Sequence, residues 1–423
     1  MALGFIFITM HLSVTSTLAP ETWPFSLELL PQPAYMVGGA VRDAILNRTR
    51  EYLDLDFVLP FNAVEVARQI ARHYKAGFVL LDPERQIARV VFPGATADFA
   101  LQEGNSLEAD LHRRDFTVNA IAYNPHTQEI IDPLEGCADI EKRILRMISP
   151  VNLKDDPLRL LRAYRQASQL NFRIEESTQA AIRALTPYLV KVAPERVRVE
   201  LGYMLASSHG TPWLIDAGKD NLLTHFFKYA TLESFRQLRA VDSASDRLTQ
   251  IWPQLGEELQ KCIRDTVKTT WLGIAKLACL VSQNPEVAEI ELHELTYSRA
   301  EIKAVITALK LFMQLNASSM SLREQYFLFQ EAGFVFPTTA VLAVANGTSI
   351  EAIAPLINRY LNPNDLVAHP APLVSGKDLI AALQIPASPL VGKLLTEIAI
   401  AQIEGKVSTA AEAIEFASQI VES

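Results

Sequence analysis

Cysteine and net positive charge are both scarce in this chain. Its 423 residues include three cysteines, Cys137, Cys262 and Cys279, an odd number without the spacing of metal ligands. Free thiols of this kind favour a reducing compartment, so we expect a cytoplasmic protein. Asp and Glu total 48 against 39 Lys and Arg, which gives a net charge of -9. Nucleic-acid binding usually requires a basic surface, so any such contact must come from a local basic stripe.

Long apolar runs are also missing. The apolar run near the N-terminus is too short to span a bilayer, and it lacks the positively charged start of a secretory signal. We therefore predict that residues 1–24 are a disordered or misassigned leader, with Met10 as the alternative translation start. We expect no membrane association, and the composition indicates no particular oligomeric state.

Apolar residues make up 49% of the chain and charged residues 21%, as is typical of globular domains with a substantial core. The length allows for about three domains. Strand and helix patterns alternate over the first third of the chain. They predict a helix over 64–74, a hairpin of strands 78–81 and 87–92, and a strand over 96–101. After residue 135 the pattern is helical throughout, and no strand is predicted.

The stretch Tyr35–Leu59 reads YMVGGAVRDAILNRTREYLDLDFVL, which predicts a short strand, a double-glycine turn, a helix and a second strand. Gly38 and Gly39 can adopt backbone angles that are closed to other residues. A glycine turn followed by a helix start directs backbone N–H groups toward an anion. Arg42, in the first turn of the helix, adds a positive charge. The turn is therefore a candidate phosphate-binding element.

Two carboxylates follow in the second strand. Asp54 and Asp56 are two residues apart and therefore point to the same face. Charges in an apolar strand are costly without partners, and this pair could hold Mg²⁺ that bridges the phosphates of a nucleotide. Asp98, in the strand pattern TADFAL, is a candidate third carboxylate, either as a metal ligand or as the base for an attacking hydroxyl. The alternative for Asp98 is an edge charge that faces water.

The segments GGAVRDAILNR and DLDFV resemble the signature of the DNA polymerase β-like nucleotidyltransferase superfamily, in particular that of class II tRNA nucleotidyltransferases and bacterial poly(A) polymerases. The segment RRDFTVNA resembles a second motif of this family. The resemblance implies that Arg114 and Asp115 help to hold the nucleotide, with Asn119 close by. Arg supplies a planar donor fork for phosphate, and Asp accepts hydrogen bonds from sugar hydroxyls.

A third motif, DDPLRLLRAYR, occupies residues 155–165. Asp156 and Arg159 are three apart on a predicted helix and share a face, and Arg162 and Arg165 continue the spacing. The stretch resembles the nucleotide-selecting motif of the family, Glu-Asp-x-x-Arg, with Asp in place of the first Glu. The resemblance implies that Asp156 and Arg159 hydrogen-bond the base edge of the incoming nucleotide. It also implies that Arg162 and Arg165 add nucleotide or phosphate contacts.

The implied fold is an α+β catalytic head with a small mixed sheet, followed by an all-α neck, body and tail. We predict the head at residues 25–148 and the neck, with the nucleotide-selecting motif, at 149–210. The body is predicted at 211–300 and a tRNA-binding tail at 301–423.

The implied reaction is template-independent addition of C, with or without a following A, from CTP and ATP to the 3′ end of a tRNA. Pyrophosphate is released, and two Mg²⁺ ions assist. Many CCA-adding members of the family have a longer flexible loop before RRDFTVNA than the DFALQEGNSLEADLHRRD found here. In the family, loss of that loop goes with stopping after CC.

We therefore favour CC addition over full CCA addition, and both over poly(A) synthesis. The alternative from another class is a non-catalytic RNA-binding paralogue. The intact pair of Asp54 and Asp56 argues against it.

Overall fold

The computed structural model describes residues 7–9, 17–48, 52–264, 267–316 and 320–422. Two compact units divide the chain: Met1–Val192 with Lys219–Leu222, and Ala193–Gly218 with Leu223–Ser423. The first unit contains the predicted head and part of the predicted neck. The finer division into head, neck, body and tail stays a prediction.

The first unit contains a sheet and short helices. Its described strands are β1 (Phe7–Thr9), β2 (Tyr35–Val37), β3 (Leu53–Leu59), β4 (Gly77–Asp82), β5 (Ile87–Phe92), β6 (Ala95–Leu101), β7 (Ala122–Asn124), β8 (Glu129–Ile131), β9 (Ile144–Leu145) and β10 (Arg173–Ile174). Its described α-helices are α1 (Gly39–Ile45), α2 (Ala63–Tyr74), α3 (Leu107–His112), α4 (Gly136–Glu141), α5 (Pro150–Asp155), α6 (Leu158–Leu170) and α7 (Glu176–Leu185).

Eight of these strands form one sheet in the order β1-β8-β7-β2-β3-β6-β5-β4. The pairing of β3 with β6 is parallel, and the other pairings in this sheet are antiparallel. The predicted α+β head with a mixed sheet is therefore confirmed. The predicted helix over 64–74, the hairpin and the strand over 96–101 correspond to α2, to β4 with β5, and to β6.

The face of the sheet opposite Asp56 carries a buried aromatic cluster. Phe57 on β3 stacks on Phe99 of β6 with the ring centroids 5.4 Å apart, and both side chains are buried. Phe25 packs against both rings. Burial of an aromatic side chain of this size stabilises the fold by roughly 1.5–3 kcal/mol, so this cluster fixes the pairing of β3 with β6.

Residues 17–24 complete the same core. Trp23 packs edge-on against Phe57 at 5.2 Å, and Leu18 is fully buried. Residues 7–9 pair with β8 as an antiparallel strand. The prediction of a disordered leader is therefore wrong for residues 17–24, because their apolar side chains fill the core. Met10, the alternative start, lies outside the described residues.

Helices dominate the rest of the chain, as predicted. The described helices are α8 (Pro194–Leu205), α9 (Thr211–Lys219), α10 (Leu232–Ile251), α11 (Pro253–Gln260), α12 (Trp271–Leu280), α13 (Pro285–Glu294), α14 (Arg299–Leu311), α15 (Leu322–Ala332), α16 (Phe336–Ala345), α17 (Ile350–Leu361), α18 (Gly376–Leu383), α19 (Pro389–Ile403) and α20 (Ala410–Glu422). Two strands, β11 (Cys262–Arg264) and β12 (Val267–Thr270), form an antiparallel pair.

The prediction of no strands beyond residue 135 is wrong in detail. Besides β11 and β12, strands β9 and β10 form a parallel pair. These strands are two to four residues long. Segments of that length are too short to show the alternation of apolar and polar residues by which a strand is predicted.

One apolar helical segment, Leu322–Ala345, spans α15 and α16. Within the described part of the chain it alone is long and apolar enough to cross a membrane, and 67% of its most apolar window is buried inside the protein. Its burial accounts for its composition. The last three helices enclose a separate small core with these buried members: Val374, Leu379, Leu394, Ile398, Ala401, Val407, Ala413 and Ala417.

Candidate active site

Asp54 and Asp56 lie on one face of β3, as the sequence predicts. Asp54 is exposed, and its Oδ1 accepts a hydrogen bond from Thr96 Oγ1 at 2.8 Å. Asp56 is partly buried and lies opposite Asp98 in the parallel pairing of β3 with β6. Three carboxylates are therefore close together on the polar face of the sheet.

Asp56 is in an electrostatically unfavourable environment. Burial, Asp54 and Asp98 raise the pKa of Asp56 to about 7, while Arg114 and Arg89 act in the opposite direction. A divalent cation beside the carboxylates would relieve this repulsion.

The donor set suits a cation that completes its coordination from the substrate. Among the described residues, no group of three or more His, Cys, Asp and Glu side chains could hold a metal ion. Mg²⁺ usually binds through one or two carboxylates together with substrate phosphates and water. The pair of Asp54 and Asp56 fits that arrangement.

Asp98 is held by an arginine that sequence reasoning missed. Arg89, on the neighbouring strand β5, donates from Nε and Nη2 to the two carboxylate oxygens of Asp98 at 2.7 and 2.8 Å. This bonding raises the pKa of Arg89. The Asp98 side chain is 17% exposed, and β6 is an interior strand of the sheet. The alternative of an edge charge facing water is therefore wrong, and the ligand and base roles stay predictions.

The double-glycine turn lies directly beside these carboxylates. Gly38 has φ +74° and ψ -139°, a conformation that L side chains rarely adopt. A Cβ atom at Gly38 would lie 3.4 Å from Asp56 Oδ2 and 3.8 Å from Arg114 Nη1. Gly39 begins the seven-residue helix α1, and a Cβ there would lie 3.5 Å from Arg42 Nη2. The Gly38 backbone, the Asp56 carboxylate and the Arg114 guanidinium are therefore close together.

Arg42 points into the protein. It is buried, and its Nε and Nη2 donate to Asp43 Oδ1 at 3.0 and 2.8 Å. Its Nη1 donates to Asn119 Oδ1 at 2.6 Å. The charge that the sequence assigned to a phosphate is therefore paired with Asp43 here. Nucleotide contact by Arg42 and Asn119 stays a prediction.

Asn119 joins several site elements. Its Nδ2 donates to Asp115 Oδ1 and to Gln166 Oε1, both at 2.9 Å. Asp115 Oδ2 lies 3.5 Å from Arg162 Nη1 on α6. The RRDFTVNA motif and the DDPLRLLRAYR motif are thereby connected through buried polar groups.

Arg114 is oriented by Asp110, a second residue that the sequence motifs did not indicate. Asp110 is fully buried and accepts from Arg114 Nη2 at 2.9 Å and from Arg113 Nη2 at 3.1 Å. The Glu103 N–H also donates to it, at 3.0 Å. Spacing could have revealed this residue, since Asp110 precedes the two arginines by three and four positions on a helix.

Asp156 and Arg159 lie where α5 ends and α6 begins. Asp156 Oδ1 accepts from the Leu158 N–H at 3.4 Å. Arg159 Nη1 donates to the carbonyl oxygens of Arg113 and Asn152 at 2.9 and 3.1 Å. Burial is the largest influence on the pKa of Arg159 and lowers it. The predicted selecting pair is thus near the RRDFTVNA motif.

The remaining motif positions differ in their contacts. Arg162 faces Asp115, whereas Arg165 donates to Gln169 one turn further along α6 at 2.7 Å. Asp155 is the last residue of α5 and is exposed. The structure therefore brings Arg162 into the polar network and gives Arg165 a contact on its own helix.

Three segments of the chain match protein-family models. Residues 34–146 match "Poly A polymerase head domain". Residues 171–232 match "Probable RNA and SrmB- binding site of polymerase A". Residues 253–417 match tRNA nucleotidyltransferase domain 2.

Relatives match over nearly the full length. The CC-adding tRNA nucleotidyltransferase of Synechocystis sp. is 48% identical over 95% of this chain and 96% of that protein. The enzyme of the same name from Geobacter sulfurreducens is 30% identical over 90% of this chain and 91% of that protein. Among solved structures, a CCA-adding enzyme with CTP superposes with a TM-score of 0.71 at 24% identity, over 92% of both chains, and supports the fold.

The matches to these two relatives span at least nine-tenths of each chain. From this full-length similarity we conclude that the chain is an enzyme of the tRNA nucleotidyltransferase family.

Proposed function

We propose that this protein adds two C residues from CTP to the 3′ end of tRNA and then stops. The observation that carries the proposal is the arrangement of Asp54 and Asp56 beside the Gly38 turn and Arg114. The 48% identity to a relative named as a CC-adding enzyme supports the choice of nucleotide. In the reaction the tRNA 3′ oxygen bonds to the α-phosphorus of CTP, and the bond to the β-phosphate oxygen breaks to release pyrophosphate.

Asp54 and Asp56 would hold the divalent metal that enzymes of this family generally use, and we propose Mg²⁺. When bound, the metal stabilises negative charge on the phosphates and lowers the pKa of the attacking hydroxyl. Gly38 and Gly39 leave room for the triphosphate because they have no side chains. Arg114 places its Nη1 beside Gly38, where it would contact the phosphates. We assign Asp98 to the orientation of Arg89, because both carboxylate oxygens are bound by that guanidinium.

Asp156 and Arg159 would select the base. An acceptor and a forked donor can match the edge of C and leave unpaired groups against U or G. Arg159 is prepared for this role because two backbone carbonyls hold one end of its guanidinium. Asp115 would accept from the sugar, while Arg162, Arg165, Arg42 and Asn119 would act on the nucleotide directly or through neighbouring groups.

The connection between β6 and α3 supports stopping after CC. It comprises residues 102–106 only. The Gln102 N–H donates to the Leu59 carbonyl at 2.8 Å, and the Glu103 N–H donates to Asp110. A short connection that is hydrogen-bonded to β3 and to α3 cannot easily remodel the pocket from C to A. Full CCA addition is the second candidate, and poly(A) synthesis the third.

The relatives also support proposals for the cellular location and for the role of the C-terminal helices. They are bacterial tRNA-processing enzymes, and we propose a cytoplasmic location and a tRNA-binding role for residues 301–423. The non-catalytic RNA-binding alternative would be favoured by loss of the metal carboxylates. Asp54 and Asp56 are both in place.

The direct test is CMP transfer to a tRNA transcript that ends at the discriminator base. Wild-type protein with CTP and Mg²⁺ should lengthen it, and the Asp56→Asn variant should not. A wild-type protein that binds the transcript without extending it would favour the non-catalytic alternative.

A further inference from the structure

Gln166 is a buried polar side chain on α6, among the apolar residues that pack this helix against the protein. It is 6% exposed. A buried amide costs free energy unless it is hydrogen-bonded. The Oε1 atom of Gln166 accepts a hydrogen bond from Asn119 Nδ2 at 2.9 Å. The contact joins α6 to the segment that carries RRDFTVNA.

Asn119 is the point where the network branches. Its Oδ1 accepts from Arg42 at 2.6 Å, and its Nδ2 also donates to Asp115 at 2.9 Å. A change at Gln166 would therefore affect α1 through Arg42 and the RRDFTVNA segment through Asp115.

Helix α6 meets this network at two places one turn apart. Arg162 and Gln166 are four residues apart and share a helix face. The contact of Arg162 with Asp115 is 3.5 Å long, at the outer limit of a hydrogen bond, whereas that of Gln166 with Asn119 is 2.9 Å. Gln166 therefore makes the shorter of these two contacts.

We propose that Gln166 is a positioning residue that sets the rotation of α6 about its axis and the position of α6 along that axis. Both determine where Arg159 and Arg162 lie relative to the base. This inference rests on the proposed function and deepens it by naming what holds the selecting side chains. A misplacement of about 1 Å at such a site can reduce the rate about a hundredfold. Gln166 would act through Asn119 without touching the nucleotide.

The test compares three variants of the full-length protein. Gln166→Leu removes the acceptor at similar volume, and Gln166→Glu keeps an acceptor oxygen. Gln179→Leu is the matched control: the Gln179 side chain donates to Asp220 at 2.7 Å, and Asp220 also accepts from Tyr164 on α6, so this variant perturbs a polar contact of the same helix and leaves the Asn119 contact in place. Each protein is measured for its Kd for CTP and for UTP, its kcat and KM in CMP transfer, and its melting temperature.

We expect Gln166→Leu to lower the preference for CTP over UTP by about tenfold, the effect typical of residues that orient binding groups. Gln166→Glu should retain most of that preference even if its melting temperature falls. Gln179→Leu should lose thermal stability and keep the preference.

Two results would overturn the inference: an unchanged CTP-to-UTP ratio in Gln166→Leu, or equal loss of preference in Gln166→Leu and Gln179→Leu. Failure of the proposed function would be recognised separately, as a wild-type protein that prefers CTP in binding but transfers no CMP to tRNA. In that case the binding ratios would still decide the role of Gln166.

Discussion

Arg89 holds Asp98 through both carboxylate oxygens, at 2.7 and 2.8 Å. The pair lies next to Asp56, which faces Asp98 across the parallel strands β3 and β6. This relationship places a positive charge at the edge of the proposed metal site. Because both carboxylate oxygens of Asp98 bind Arg89, we propose that Asp54 and Asp56 are the two carboxylates that hold a cation.

The first prediction concerns the three carboxylates. Asp54→Asn and Asp56→Asn should each lower kcat by about a thousandfold or more, since a lost metal ligand removes several kcal/mol of transition-state stabilisation. Asp98→Asn should lower kcat by about 10- to 100-fold, the range for groups that act on a neighbouring residue. Initial rates of CMP transfer check this.

Asp82→Asn serves as the control for these substitutions, because Asp82 accepts two backbone N–H bonds in the turn after β4. It should leave kcat unchanged. If Asp98→Asn were as damaging as Asp56→Asn, Asp98 would be a metal ligand or the catalytic base.

The second prediction is a pH dependence of stability that originates at Asp110. Burial would raise its pKa, but Arg114, the Glu103 N–H and Arg113 outweigh burial and hold the pKa below its usual 3.8. The ionised carboxylate therefore stabilises the fold above the unfolded-state pKa, and this contribution disappears as the pH falls through the folded-state pKa. Asp110→Asn should lower the free energy of unfolding by about 2 kcal/mol at neutral pH.

Urea unfolding at neutral pH and at about pH 3 measures this directly. The difference between wild type and Asp110→Asn should shrink at the lower pH, because the unfolded wild-type chain then binds a proton at Asp110 more readily than the folded protein does. A difference that stays constant with pH would show that the charge of Asp110 is not its source.

The third prediction separates backbone strain from crowding in the glycine turn. Gly38→Ala and Gly94→Ala both force a side chain into a positive φ, +74° and +75°, and each should destabilise the fold by about 1 kcal/mol. A Cβ at Gly94 meets nothing within 4 Å, whereas one at Gly38 lies 3.4 Å from Asp56 Oδ2.

Only Gly38→Ala should therefore also raise KM for CTP and lower kcat. Melting temperatures and steady-state kinetics of the two variants give the comparison. If kcat and KM for CTP were the same in both variants, Gly38 would be required only for the backbone turn and not for nucleotide binding.

The sequence predicted those parts of the site that depend on local spacing. Asp54 and Asp56 share a face because a strand has a period of two, and the strands over 78–81, 87–92 and 96–101 followed from their apolar patterns. The mixed sheet was implied by the resemblance to the family. Arg42 was different: its spacing suggested a phosphate contact, but Asp43 and Asn119 bind it inside the protein. Asn119 is distant in sequence, so the direction of Arg42 depends on tertiary packing.

Arg89 illustrates the same limit. It occurs in the pattern IARVVF, which predicts only a strand. Its role appears once β5 pairs with β6 and brings it opposite Asp98. The pairing of strands determines which charges meet, and no single stretch of sequence contains that information.

The central claim is that this protein completes CC and stops. The most direct measurement supplies tRNA transcripts that end at the discriminator base, at C and at CC with Mg²⁺, CTP and ATP, and resolves the products to one nucleotide. The account predicts two, one and no C additions, respectively, and no A on any product. A terminal A on the CC transcript would contradict it and identify a CCA-adding enzyme.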